Sequence, residues 1–292
     1  MKRSGTIFIL AMYSSLVLAD PPHYTTQKSF QTAFQECAEY FRVPNCTVRR
    51  YIEESNSQPK DEAKNLIRCT LINLGIWDDE IRVREYVLRN YFVPSPNNTC
   101  YERRIRECLA NLDYYCDYSR AYESFGCFHR HYSELIVTDE KLIPNEKLEL
   151  QQLALTGLTM VNLPYEVLVQ YCKGDIEGEE HFPELLFLIL VRGGYYSAQS
   201  GWKLANWYTQ LGYEALLDRY TRQCIDRVAK EKCDADEVAR MFATWQTCLG
   251  RYSPILQYIR KAAKTLVGDP DGCICTNAVY NGNYKMVKDS CQ

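Results

Sequence analysis

The chain has 292 residues, a formal net charge of −3 and 14 cysteines. This length is sufficient for one large domain or for two domains of ordinary size. The small negative charge and the lack of a run of basic residues argue against nucleic acid or an anionic membrane surface as the main partner.

The first 19 residues have the pattern of a cleavable signal peptide. Lys2 and Arg3 precede an apolar run from Ile7 to Leu18, and Ala19 is a small residue at a plausible cleavage site. The apolar run, about 12 residues, is shorter than the roughly 20 that a membrane-spanning helix needs. We therefore expect residues 1–19 to be a signal peptide and the mature protein to be secreted. An uncleaved anchor is the alternative.

Export also determines how the cysteines are interpreted. Secreted proteins can oxidise their thiols, so we expect disulfides first and metal ligands second. The glycosylation sequons at Asn45 and Asn97 are compatible with export. Each half of the chain has seven cysteines, so either a bridge joins the halves or each half keeps an unpaired thiol.

Apolar residues recur with helical spacing along the chain. Phe182 to Val191 is apolar but too short to span a membrane, which indicates a buried helix. Asp234 is the predicted N-cap of a helix that ends at Gly250, and Pro254 opens a further helix that ends at Gly268. The first predicted helix has an apolar face formed by Phe30, Ala33, Phe34, Cys37, Ala38 and Phe41. Sustained alternation with a period of two is absent. We therefore predict an all-α protein with about six helices in each half.

The chain also aligns with itself at a shift of about 120 residues. The matched pairs are Pro44 with Pro164, Gly75 with Gly194, Trp77 with Tyr196, and Cys127 with Cys248. Solenoid repeats run roughly 20–50 residues, so this period indicates a duplicated domain. We predict a boundary near Asn145, with residues 20–145 as the first domain and 146–292 as the second.

A secreted all-α unit with cysteines on its helices resembles the insect pheromone and general odorant-binding superfamily. The resemblance is carried by Cys37, CTLINLGIWDD from Cys69, Cys108, Cys116, and AYESFGCF around Cys127. It extends over the mature chain twice, with more specific motifs in the first half. The duplication is similar to that of the two-domain odorant-binding proteins of mosquitoes. It also resembles the long-form salivary proteins of blood-feeding flies.

The resemblance implies a set of disulfides. In the family, six cysteines pair first to third, second to fifth and fourth to sixth. Carried over to this chain, the pattern implies bridges Cys37–Cys69, Cys108–Cys127 and Cys224–Cys248.

Departures from the family pattern leave the other pairings open. Asn65 stands where the second cysteine is expected, so Cys116 lacks its usual partner, and both Cys46 and Cys100 are candidates to replace it. In the second half, Gly157, Glu184 and Leu188 occupy the positions of the first three cysteines.

Known catalytic motifs are absent from the sequence, including G-x-S-x-G, H-E-x-x-H and the phosphate-binding loop. His129 and His131 could form a metal cluster with Cys116, but they are better explained as solvated residues at the end of a charged helix. Gly193 and Gly194 are predicted to form a helix-ending turn and not a phosphate cradle. We expect no enzyme activity, no cofactor and no bound metal.

Aromatic residues are the candidate ligand contacts. The chain has 23 tyrosines, 10 phenylalanines and 4 tryptophans, and tyrosine and tryptophan combine an apolar body with a polar tip. Given the resemblance, the predicted lining residues of the first half are Trp77, Tyr86, Leu88, Tyr91, Phe92, Tyr122 and Phe125. In the second half they are Trp202, Trp207, Tyr208, Met241, Phe242 and Trp245. The alternative is that these side chains fill helix cores.

The resemblance implies a carrier that reversibly binds small hydrophobic molecules such as odorants or pheromones. An olfactory receptor and a second copy of the chain are further candidate partners. A salivary scavenger of host biogenic amines or lipid mediators is a second interpretation, and a structural or interaction protein with a filled pocket is a third. Family members often release ligand at low pH, and the candidates for such a switch are His129 and His131 or carboxylates near Cys127.

Overall fold

The computed structural model describes residues 25–44, 47, 61–94, 100–112 and 116–268. In this part of the chain the protein has twelve α-helices and four short two-stranded ribbons. The predicted all-α fold class is therefore confirmed. The predicted signal peptide and the sequons at Asn45 and Asn97 lie outside the described residues. None of the described helices has both the length and the apolar character needed to cross a membrane.

The helices divide between the two halves. Those of the first half are α1 (Phe30–Tyr40), α2 (Asp61–Asn73), α3 (Glu85–Leu88), α4 (Tyr101–Ala110) and α5 (Asp117–His131). Those of the second half are α6 (Lys147–Val161), α7 (Tyr165–Lys173), α8 (Phe182–Arg192), α9 (Leu204–Leu211), α10 (Arg219–Glu231), α11 (Glu237–Thr244) and α12 (Ile255–Val267).

The strands are short and pair only as antiparallel ribbons. The pairs are β1 (Gln27–Lys28) with β6 (Lys141–Leu142), β2 (Trp77–Asp78) with β3 (Arg82–Val83), β4 (Phe92–Pro94) with β5 (Ser133–Leu135), and β7 (Tyr196–Ser197) with β8 (Gly201–Trp202). Two or three residues per strand are too few for a sheet core, so the helices supply the buried surface.

Two local predictions about helix ends are wrong. Phe41 was expected on the buried face of the first helix, but α1 ends at Tyr40 and the Phe41 side chain is 52% exposed. Asp234 was expected as the N-cap of α11, but it lies in the turn that follows α10. Asp236 is the N-cap, and its carboxylate accepts the backbone N–H of Ala239 at 2.8 Å.

A glycine turn ends the equivalent helices of the two halves. Gly75 follows α2 with φ of +64°, and Gly194 follows α8 with φ of +71°. Both values lie in the left-handed region that side chains with a Cβ disfavour. The residue after each glycine donates its backbone N–H to the carbonyl five positions earlier, at 2.8 Å in both cases. The predicted helix-ending turn at Gly193 and Gly194 is therefore present.

The ribbons that follow these turns also match. Trp77 pairs with Val83 in the first half, and Tyr196 pairs with Trp202 in the second. One side-chain oxygen closes each ribbon by accepting two backbone N–H groups. These bonds run from Glu80 and Ile81 to Asp78, and from Gln199 and Ser200 to Ser197. The repeat seen in the sequence is therefore a repeat of local structure.

Buried apolar side chains form two separate clusters. One cluster runs from Phe30 to Tyr132 and the other from Leu150 to Ala263. Each half therefore has a hydrophobic core of its own. The domain boundary near Asn145 stays a prediction that these two cores support.

Three disulfides have both partners in the described residues: Cys37–Cys69, Cys108–Cys127 and Cys224–Cys248. They are the pairs that the family resemblance implies. The first joins α1 to α2, and the second joins α4 to α5. The third joins α10 to a π-helical turn, Trp245–Leu249, that continues α11. Cys116 and Cys172 are also disulfide-bonded.

In the second half, a close contact at Gly157 takes the position of the Cys37–Cys69 bridge of the first half. Gly157 on α6 occupies the repeat position of Cys37. A Cβ added to Gly157 would lie 2.8 Å from Ile189 Cγ1 on α8. The two helices therefore approach closely because one of them presents no side chain. Close packing replaces the covalent link of the first half at this position.

The two halves meet through equivalent helices. The rings of Tyr86 on α3 and Tyr208 on α9 lie 6.0 Å apart in an edge-to-face arrangement. Asn90 Nδ2 donates to Thr209 Oγ1 at 3.1 Å. The two residues are 119 positions apart, which equals the shift at which the chain aligns with itself. Asn90 therefore contacts its own repeat equivalent. Contacts between equivalent residues are typical of an approximately twofold interface.

We predict that Gly212→Ala destabilises the protein more than Gly268→Ala. Both glycines end helices in the left-handed region, with φ of +76° and +71°, so both variants carry the same backbone strain. Only at Gly212 would the new Cβ press on another side chain, 2.8 Å from Cε1 of Tyr86 in the other half. We expect an additional loss of about 1 kcal/mol in the free energy of unfolding, measured by urea denaturation. Equal losses in the two variants would contradict this assignment.

Candidate functional site

The predicted lining residues of the first half lie mostly in its core. Trp77, Leu88, Tyr91 and Phe92 are buried, whereas Tyr86, Tyr122 and Phe125 are half-buried. The Phe125 ring stacks on Phe30 at 5.4 Å and lies 6.0 Å from Phe92. In this arrangement the aromatic rings contact one another.

Buried polar tips in this core have partners. The Trp77 indole N–H donates to Asp79 at 2.6 Å, and the Tyr91 hydroxyl donates to the carbonyl of Lys28 at 3.2 Å. Burial raises the pKa of Tyr91, so this hydroxyl stays protonated. These bonds tie the rings to the surrounding backbone and fix their orientation.

The predicted lining residues of the second half separate into three places. Trp207, Phe242 and Trp245 belong to the core or pack against it, and Tyr208 faces Tyr86 of the other half. Trp202 and Met241 line a surface cleft. Met241 is also a core residue, 1% exposed, and Trp202 packs against the same core. Of the six predicted residues, Trp202 and Met241 are those that line the cleft.

The cleft has a volume of about 640 Å³, within the roughly 300–1,000 Å³ of small-molecule sites. One wall is the ribbon of β7 and β8 with the start of α9, and the other wall is α10 and α11. The ribbon side contributes Tyr196, Ala198, Ser200, Gly201, Trp202, Leu204 and Ala205. The helix side contributes Arg222, Ile225, Asp226, Ala229, Arg240, Met241 and Thr244.

Gly201 adds no side chain to the ribbon wall. Gly201 has φ of +71°, and a Cβ added there would meet nothing within 4 Å. The matching residue of the first half is Arg82, which adopts the same left-handed conformation with φ of +76°. Arg82 forms an ion pair with Asp117 at the start of α5. A salt bridge therefore crosses the first half where the second half leaves open space.

The cleft is amphipathic. Trp202, Leu204 and Ile225 provide apolar surface, whereas Arg222 and Arg240 bring guanidinium groups from the helix wall. Within the described residues neither arginine forms an ion pair.

At the cleft's edge, the Tyr196 hydroxyl donates to Glu237 at 3.3 Å. Burial and the negative charge of Glu237 raise the pKa of Tyr196. This bond links the ribbon wall to α11.

A second cavity in the same half is much smaller, about 30 Å³. Trp207 and Tyr195 lie on its wall, and the Tyr195 hydroxyl donates to Gln210 at 2.8 Å. Its volume is sufficient for about one water molecule. A ligand would need the surrounding side chains to move before it could enter.

Of the two histidines predicted to be solvated, one is fully at the surface. His129 is exposed and His131 is half-buried at the end of α5. Elsewhere, ligand atoms of Glu179, Glu180 and His181 lie within 4.8 Å of one another. Glu179 already accepts the Tyr171 hydroxyl at 2.7 Å and contacts His181 Nδ1 at 2.6 Å. We interpret this group as a hydrogen-bonded cap at the start of α8.

We predict that His181 and His131 titrate on opposite sides of pH 6.5. The hydrogen bond to Glu179 raises the pKa of His181, whereas burial and the charges of Arg104 and Arg130 lower the pKa of His131. Two-dimensional NMR of the histidine rings measures both values. Glu179→Gln should return His181 toward its ordinary value and leave His131 unchanged.

The sign of the resulting pH effect follows from linkage. Because folding raises the pKa of His181, its pair with Glu179 stabilises the fold below about pH 6.5, and the contribution is lost as the pH rises through the folded-state value. A His181 pKa below 6.5 in the folded protein would contradict the assignment.

The fold and the site together define a class of protein: disulfide-crosslinked helical units with space for a small molecule. Residues 21–131 match the PBP/GOBP family. This region, which ends where α5 ends and covers less than half of the chain, is similar to that family of pheromone- and odorant-binding proteins. Proteins of the family bind small ligands, are not enzymes, and are typically secreted and soluble. Neither a curated protein nor a solved structure matches the chain.

Proposed function

We propose that the protein is a secreted carrier that reversibly binds small hydrophobic molecules in the cleft of its second half. The observation that carries this proposal is the cleft's volume of about 640 Å³, lined in part by Trp202 and Met241. No nucleophile or metal is needed for this role, because binding by desolvation involves no covalent step.

Apolar burial alone is sufficient for useful affinity. A small odorant that hides roughly 250 Å² of apolar surface gains on the order of 6 kcal/mol at about 25 cal/mol per Å². Ordering the ligand and the side chains costs part of this gain. Dissociation constants in the micromolar range are the expected result.

We also propose that the chain folds as two domains that meet near Asn145. Two separate cores, Phe30 to Tyr132 and Leu150 to Ala263, support this division. In this proposal the first domain is the family domain with its aromatic core closely packed, and the second domain carries the ligand. Residues 1–19 would direct the chain to secretion.

Among the ligand classes, volatiles and lipids fit the cleft better than amines do. An amine site needs acidic groups, and the cleft contains Asp226 against two arginines. The filled-pocket alternative fits the packed aromatic rings of the first half but not the open cleft of the second. Expression in antenna or in salivary gland distinguishes an olfactory carrier from a scavenger of lipid mediators.

We predict that Ala205→Trp weakens ligand binding at least tenfold. Ala205 lines the cleft, so an indole there occupies the volume that a ligand needs. The matched control is Ala239→Trp, because Ala239 is exposed on α11 and is not among the residues that line the cleft. Displacement of a fluorescent probe from the oxidised protein by a panel of volatiles and fatty acids measures the affinity. If nothing in the panel binds below about 100 µM, the carrier proposal is wrong.

A second prediction separates stability from binding. Replacing Cys224 and Cys248 together by alanine should lower the free energy of unfolding by about 3 kcal/mol, because the bridge closes a loop with a sequence separation of 24. Replacing Cys108 and Cys127, whose separation is 19, should cost a similar amount. Only the first pair holds a wall of the cleft, so at a temperature where both variants remain folded only the first should bind probe more weakly. Equal binding by both variants would place the ligand elsewhere.

A further inference from the structure

The cleft contains more positive than negative charge. Arg222 comes from α10 and Arg240 from α11, so two helices each bring a guanidinium to the same wall. Asp226, one turn after Arg222, is the carboxylate that lines the cleft with them. The lining therefore carries a net positive charge of one at neutral pH.

Neither arginine forms an ion pair within the described residues. The nearby Glu237 lies at the cleft's edge, where it accepts the Tyr196 hydroxyl at 3.3 Å. An arginine presents five N–H donors in a planar fork that matches a carboxylate or phosphate. Two such groups in one cavity leave many donors for a ligand to satisfy.

The cleft also has apolar lining. Trp202 and Leu204 belong to the ribbon wall, and Ile225 and Ala229 lie beside Arg222 on α10. A ligand that fills the space would therefore meet two guanidinium groups together with an indole and aliphatic groups. Such a site favours a molecule with the same division into head and tail.

We propose that the cleft selects small amphiphiles with an anionic head, of which medium-chain carboxylic acids are the simplest class. This inference rests on the proposed carrier function and specifies its ligand. The carboxylate pairs with Arg222 and Arg240, and the alkyl chain lies against Trp202. The same site disfavours a cationic head, because its charge would face two guanidinium groups.

The matching region of the first half lacks this selectivity for a structural reason. There the guanidinium of Arg82 is paired with Asp117 across the same space. The second half has Gly201 in place of this arginine, and its cleft is lined by Arg222 and Arg240, which form no ion pair within the described residues. The anion site therefore belongs to the second half.

A matched ligand series tests the proposal on the full-length oxidised protein. Decanoate, 1-decanol and decylamine share one chain and differ in head charge at pH 7. By competition with a neutral fluorescent probe, we expect decanoate to bind about tenfold more tightly than decanol, and decylamine to bind most weakly. This measurement needs no variant, so it stays decisive even if a substitution prevents folding.

Substitutions then assign the selectivity to named residues. Arg222→Gln with Arg240→Gln should remove the preference for decanoate over decanol and leave decanol affinity within about twofold. Asp226→Asn should strengthen decanoate binding, by about threefold, because it removes the repelling carboxylate. The control is Arg219→Gln, since Arg219 is exposed on the same helix and its guanidinium lies over the Tyr220 ring, 5.5 Å from its centre.

The outcomes separate this inference from the function on which it rests. Equal binding of decanoate and decanol, or tighter binding of decylamine, would overturn the anionic selectivity while the carrier function stands. A decanoate preference that survives the double arginine substitution would also overturn it. If none of the three ligands displaces the probe, and the probe itself does not bind, the carrier function fails as well.

Discussion

The cleft depends on one covalent constraint, the disulfide between Cys224 and Cys248. Cys224 lies between Arg222 and Ile225, so the bridge holds the residues that line the cleft against the π-helical turn after α11. The bridge adds a covalent link to the packing of α10 against α11 and the π-helical turn. The crosslink supplies the rigidity that a filled core supplies elsewhere, and it lets the interior stay partly empty.

The two halves show how one framework produces different interiors. Their glycine turns, ribbons and one disulfide agree in position, and these elements set the path of the backbone. The differences lie in the side chains that meet across that framework. In the first half Arg82 forms an ion pair with Asp117, whereas in the second half Gly201 has no side chain at the equivalent position of the ribbon. Among the described residues the two halves therefore share the backbone of the ribbon and differ in the side chains that it presents.

Much of the fold can be predicted from the sequence because helices and their ends depend on local spacing. The faces of α1 and α8 and the turn at Gly194 follow from periodicity and from glycine's conformational freedom. Phe41 and Asp234 were misassigned because a helix end depends on which of several neighbouring residues caps it. The cleft could not be predicted, because its volume depends on the distance between a ribbon and helices far apart in sequence. Aromatic content alone does not separate a residue such as Trp245, which is buried in the core, from one such as Trp202, which packs against the same core and also lines the cleft.

The contact between Asn90 and its repeat equivalent Thr209 has an evolutionary consequence. A single ancestral unit with this surface could pair with an identical copy through the same helix. Joining two such units in one gene would preserve the contact between them. Each unit could then accumulate its own substitutions. The pair would then no longer need to stay symmetric, and one member could lose its internal ion pair and gain a binding cleft while the other kept the ancestral packing.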